Sequence, residues 1–170
     1  MFTKIDLCSM ALLKIGEKPI QSLHEDSSAA QLARTLFNPI VDTLLSVFPW
    51  RFATQSISLT KNTDGDFIIP AEVLRVIKCS GTVNGNKVIS DADIVDIIAI
   101  VHAEPESFPN YFATLVATKL ALDFSIPLTG DTNIFKMLSA LYETEFQSAK
   151  FIDSSNQSSI DNFALISSRF

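Results

Sequence analysis

A chain of 170 residues suits one domain, and its 47% hydrophobic content, with 13 Phe and a single Trp, can fill a real core and leave apolar surface over for a partner. A net charge of −6 and the lack of any basic stripe argue against sequence-specific nucleic-acid binding. Two cysteines without metal-type spacing, a start unlike a signal peptide and no run of 18 apolar residues lead to the expectation of reduced thiols in cytoplasm and no transmembrane helix.

Residues 3–15 read as a first helix. Thr3 stands at the N-cap with Asp6 in the capping-box position, and Ile5, Leu7, Cys8, Ala11, Leu12 and Ile15 form an apolar face. Gly16 and Pro19 end it. A second helix begins after Asp26 or Ser27 and keeps its apolar residues in phase from Ala30 to Phe48. Pro39 lies inside that pattern and predicts a kink near Thr35–Asn38. Pro49 ends the helix, because the residue before a proline is pushed out of the α region. Trp50 then marks a corner between helix and strand.

The middle of the chain reads as one small antiparallel sheet of four or five strands. Arg51–Thr60 alternates as a strand, Asn62–Asp66 turns, and Phe67–Ile69 is a short strand. Pro70-Ala71-Glu72 opens a tight helical turn, and Leu74–Cys79 is rich in β-branched residues. Val83-Asn84-Gly85-Asn86 is a hairpin turn, Lys87–Ile89 returns, and Ile94–His102 is expected to be the most buried strand.

Phe108–Ile126 predicts a third helix, apolar nearly all round and therefore largely buried, with Pro127–Gly130 as its break. Residues 132–152 predict a fourth, capped by Asp131 or Thr129. Ile134, Phe135, Leu138, Leu141, Tyr142, Phe146 and Ala149 form its stripe. Residues 153–170 read as a flexible tail, polar at first and ending on Ile160, Phe163, Leu165, Ile166 and Phe170, the pattern of a docking peptide. The expected fold is α+β and mainly α: an antiparallel bundle of about four helices with a small antiparallel sheet inserted between helices 2 and 3. The bundle takes residues 1–50 and 106–152 and the insertion residues 51–104, together one domain over 1–152.

Residues that could carry chemistry are few. His24 and His102 lie far apart in sequence and lack metal-ligand spacing. Asp91, Asp93 and Asp96 read as a solvated face, and Asp64-Gly65-Asp66 lacks the remaining ligands of a calcium loop. No phosphate-cradling glycine loop or G-x-S-x-G elbow occurs. Trp50 and Arg51 could stack on a base, but a solitary aromatic at such a corner reads as core. No catalytic, metal or cofactor residue is expected, and the chain is not expected to be an enzyme.

The order of segments carries a resemblance. ALLKIGEKPIQSL (Ala11–Leu23) followed by DSSAAQLARTLFNPIVDTLLSVFPWRFA (Asp26–Ala53) resembles the tail tubular protein A, or head-to-tail adaptor, family of short-tailed phages and prophages. Its helix ending on a W-x-F turn is matched by Trp50-Arg51-Phe52. IIPAEVLRVIKC (Ile68–Cys79) is similar to its proline-initiated turn and strand, and Glu106–Lys150 to its paired C-terminal helices. The sheet insertion is shorter than in coliphage tail tubes, and the tail after Phe151 has no counterpart.

The resemblance implies a virion structural protein without catalytic residues. It implies a ring, commonly of twelve subunits, seated under a portal protein and docking tail or nozzle proteins, with DNA passing through its lumen. Neither a membrane nor sequence-specific DNA contact is implied. The place implied is the head–tail junction of the virion, with host cytoplasm during assembly. The residues singled out for structure or interface are Trp50, Phe52, Pro39, Phe163, Leu165, Ile166 and Phe170. Two other readings compete: a cytosolic binding module for a small ligand or partner helix, and a hydrolase built on the Asp91/Asp93 turn.

Overall fold

The structure, a computed structural model, describes residues 1–167, with side chains as far as Ser155. These residues form four α-helices and six strands, an α+β mixture about half helical. Contacts divide the chain into two compact units. One comprises Met1–Val41 with the chain from Glu104 onward, and the other comprises Asp42–Ala103. The division falls inside the second helix.

In the first unit, α1 (Lys4–Lys14) starts on a complete capping box. The Thr3 hydroxyl accepts from the Asp6 amide at 3.1 Å, and the Asp6 carboxylate accepts from the Thr3 amide at 2.8 Å. The Thr3 hydroxyl also donates to the Asp6 carboxylate at 2.7 Å, and this bond, with the one from the Thr3 amide, holds the Asp6 pKa below its usual range. The helix closes on a Schellman pair, Glu17 N to Leu12 O at 3.0 Å and Gly16 N to Leu13 O at 3.2 Å. Ser27 caps α2 (Ser28–Val47), its hydroxyl accepting from the Ala30 amide at 3.2 Å. The helix runs unbroken through Pro39, and Lys4 Nζ donates to Asn38 Oδ1 at 2.8 Å beside it.

α3 (Asn110–Thr129) packs against both α1 and α4 (Thr132–Ser167). It is buried along most of its length, as its uniform apolarity predicts. By length and mean hydropathy alone it would pass for a membrane span, as buried core helices also do, and most of that stretch is buried inside the protein. It ends at Thr129 and not at Ile126. Pro127 is accommodated in the last turn, where the Ser125 hydroxyl donates to Leu122 O and the Thr129 hydroxyl to Ser125 O, both at 2.7 Å. Gly130 (φ +66°) is the actual stop, a left-handed cap whose amide donates to Ile126 O. Asp131 then caps α4, accepting from Asn133 N at 2.7 Å.

α4 departs most from expectation. It does not end at 152 but continues to Ser167. No glycine or proline follows Gly130, so the serine-rich stretch lowers helix propensity without supplying a stop.

The second unit holds two antiparallel three-stranded sheets in place of the single sheet expected. The first has the order β1 (Thr54–Thr60), β6 (Ile94–Val101), β3 (Val73–Cys79). The second has the order β2 (Phe67–Ile68), β5 (Lys87–Ile89), β4 (Thr82–Asn84). Central β6 buries Val95, Ile97 and Ala99, which join Leu59, Phe67 and Val88 in one core that draws on both sheets.

β1 begins three residues later than its alternation suggests, since Arg51–Ala53 is a 3-10 turn. Pro70–Val73 forms a hydrogen-bonded turn without helix, Val73 N donating to Pro70 O at 3.1 Å. Gly81 sits where the chain passes from β3 to β4. A Cβ there would lie 2.6 Å from the Ile89 carbonyl oxygen, a distance no side chain tolerates. The β4–β5 hairpin closes through Gly85-Asn86, with positive φ at Gly85 only, which makes the turn type II′.

Candidate functional site

The corner after α2 is built by its own side chains. Trp50 is fully buried, and its indole N–H donates to Leu44 O at 2.7 Å, in the last helical turn where carbonyls run short of intrahelical donors. The Phe48 ring meets it edge-on at 4.9 Å. An indole so enclosed is closed to a nucleic-acid base. Phe52 lies half-buried in the 3-10 turn, while Pro39 is exposed on α2. Phe163, Leu165 and Ile166 fall within α4 but their side chains lie outside the described residues, as does the whole of Phe170.

The titratable groups are engaged singly. His102 Nδ1 lies 2.6 Å from Asp42 Oδ1, tying the end of β6 to α2 within the second unit. Asp96 accepts from the Ser58 hydroxyl at 2.6 Å, whereas Asp93 is exposed beside Lys61 at 3.9 Å. The three aspartates therefore do not converge on one point. Asp66 pairs with Lys87, and Asn62 Oδ1 accepts from the amides of Asp64 and Asp66, so this turn is an Asx turn. Among the described residues no group of three or more His, Cys, Asp or Glu could hold a metal.

The two thiols differ. Cys8 is wholly buried in α1, and burial pushes its pKa up to about 12. Cys79 is half-buried at the end of β3 and accepts from the Gly81 amide at 3.3 Å. Iodoacetamide on the native protein is expected to add to Cys79 alone, with Cys8 alkylated only after denaturant. Intact mass checks this; two rapid additions would contradict the burial of Cys8.

The remaining candidates are surfaces. An open crevice of about 710 Å³ lies between the β2–β3 connection and the β4–β5 hairpin, with Ile69, Leu74, Val83 and Arg75 in its walls. On α4, Met137, Leu141, Thr144, Ser148, Phe151 and Ser155 follow at steps of four and three, a face without a charge. Met137 is 59% exposed, Leu141 38% and Phe151 74%, with Ile152 alongside at 41%. The expected stripe of this helix buries fully only at Leu138 and Ala149. Asp153 shares that buried side and accepts from the Tyr111 hydroxyl at 2.6 Å. Tyr111→Phe removes a partner from this buried carboxyl and should cost about 1–3 kcal/mol in a urea titration; an unchanged midpoint would show that the bond adds nothing.

The sequence matches the tail tubular protein family over residues 5–153. The chain belongs to that family. Tail tubular proteins are structural components of phage virions and not an enzyme family. No curated protein matches the chain. The match begins at α1 and ends at Asp153, so this tail tubular chain extends beyond it by 17 residues. The exposed face of α4 lies almost wholly within the matched region. Periodicity alone missed it, because it assigns Leu141 to the core stripe and gives Met137 and Phe151 no place; the lack of charge among these positions is the available signal.

Proposed function

We propose that the protein is a head-to-tail adaptor, a ring subunit seated under the portal at the head–tail junction. The observation that carries this reading is the family match over residues 5–153. The ring, of about twelve copies as the resemblance implies, extends the DNA channel and gives tail or nozzle proteins a platform. A subunit of this kind works through geometry: head-to-tail contacts close a ring when the rotation permits.

Two properties support the reading. The uncharged face of α4 leaves apolar side chains for neighbours to cover. A net charge of −6 suits a lumen that repels DNA phosphates and lets the duplex slide. Assembly takes place in host cytoplasm, and residues 153–170 dock on a neighbour. Mixing the protein with its cognate portal should give rings by negative stain and a matching native mass. Failure to bind the portal under any assembly condition would end this proposal. Deleting residues 155–170 should leave the thermal midpoint within a few degrees and abolish or weaken ring formation. Unfolding on truncation would instead make the segment part of the domain.

A further inference from the structure

Four strands lie at sheet edges, and three of them are protected. β2 and β4 are only two and three residues long. β3 exposes Arg75 and Lys78 and breaks register with β6 between Val73 and Arg75 and again between Val76 and Lys78. Short length, charge and bulges are the devices that keep a sheet edge from pairing with another chain. β1 has none of them. It runs seven residues in unbroken register with β6, contains neither charge nor proline, and leaves Gln55, Ser56, Ser58 and Thr60 exposed. Among the described residues β6 is its one strand partner, so its outer row of amides and carbonyls faces away from any ladder.

The sequence of this edge points to what covers it. Thr54-Gln55-Ser56-Ile57-Ser58-Leu59-Thr60 reads almost the same in both directions about Ile57. An antiparallel copy centred there sets Ile57 opposite Ile57, Ser56 opposite Ser58 and Thr54 opposite Thr60, with Gln55 facing Leu59. Paired residues point to one side of an antiparallel ladder, so the core-facing Leu59 and Ile57 of both copies stay on one face. The hydroxyl residues stay on the other. Such cross-strand serine and threonine pairs are favourable and no like charges meet.

We propose that the β1 edge is a self-pairing surface. Two copies join antiparallel about Ile57, turning two three-stranded sheets into one of six strands. A two-fold contact closes a pair and does not propagate. It therefore describes the free protein, goes beyond the ring reading, and stands or falls without the portal.

Sedimentation of the protein alone over a wide concentration range tests it. The wild type should shift from the mass of one chain to that of two. Ser56→Lys with Ser58→Lys, and separately Ser56→Glu with Ser58→Glu, set like charges opposite across the two-fold. Each variant should remain a single chain at concentrations that pair the wild type, with its thermal unfolding still cooperative. An equimolar mixture of the two should recover the pair.

Amide exchange on the wild type gives an independent reading that needs no variant. Alternate amides of β1, those facing away from β6, should gain protection as concentration rises while those of β3 do not. A wild type that stays single at every concentration overturns the proposal. So does a pair that survives the like-charge variants, which would place the contact elsewhere, for example on the exposed face of α4.

Discussion

Trp50→Ala should cost about 3–5 kcal/mol, a large part of the stability of a domain of this size. The indole is completely enclosed, so its removal leaves a cavity that the neighbouring backbone cannot fill, and Leu44 O loses the donor it had at 2.7 Å. Trp50→Phe separates the two terms. It keeps most of the volume and the edge-on partner of Phe48, so it should recover the larger part of the loss. Urea titrations of the three proteins at equal slope provide the measurement. A loss below about 1 kcal/mol for the alanine variant would mean that the corner collapses around the gap.

Phe112→Ala should be comparably severe, again about 3–5 kcal/mol. Phe112 is fully buried near the start of α3, with the Phe108 ring edge-on at 4.9 Å and 83°. α3 packs on α1 and on α4, so a hole in it loosens more than one contact. Ile126→Ala is the matching control on the same helix, because Ile126 is exposed and a surface change of this kind usually stays within about 0.5 kcal/mol. Calorimetry should show a depressed midpoint for the first and almost none for the second. Equal shifts would mean that α3 is not the packed element its burial indicates.

Local chemistry was legible in the sequence. Thr3 with Asp6, Gly16 and Ser27 each act on neighbours a few residues away, and each adopts the geometry its residue types predict, whereas the hairpin turn expected over Val83–Asn86 lies one residue later, centred on Gly85-Asn86. β6 was legible as the most buried strand because its apolar residues are nearly continuous. The division into two sheets was not. It depends on β1 choosing β6 across the intervening strands, and on Gly81 letting backbone pass where a side chain cannot fit. No local signal encodes either. Pro127 does not stop α3; the stop is Gly130, whose left-handed backbone ends the helix three residues later. α4 runs on through the serine-rich stretch after Asp153, where no glycine or proline supplies a stop. The surfaces follow the same division. The uncharged run from Thr54 to Thr60 could be read directly, but only the strand order reveals it as an edge.

The cover of α3 arrives from both sides of the chain, and this has a consequence for biosynthesis. α1 is made long before it, but α4 follows it on the ribosome. At about 5–20 residues per second, the stretch that packs on its other side needs on the order of seconds to emerge. Throughout that interval a 20-residue, largely apolar segment lacks the helix that covers its other side. α3 can therefore be fully packed only once the last helix has been made.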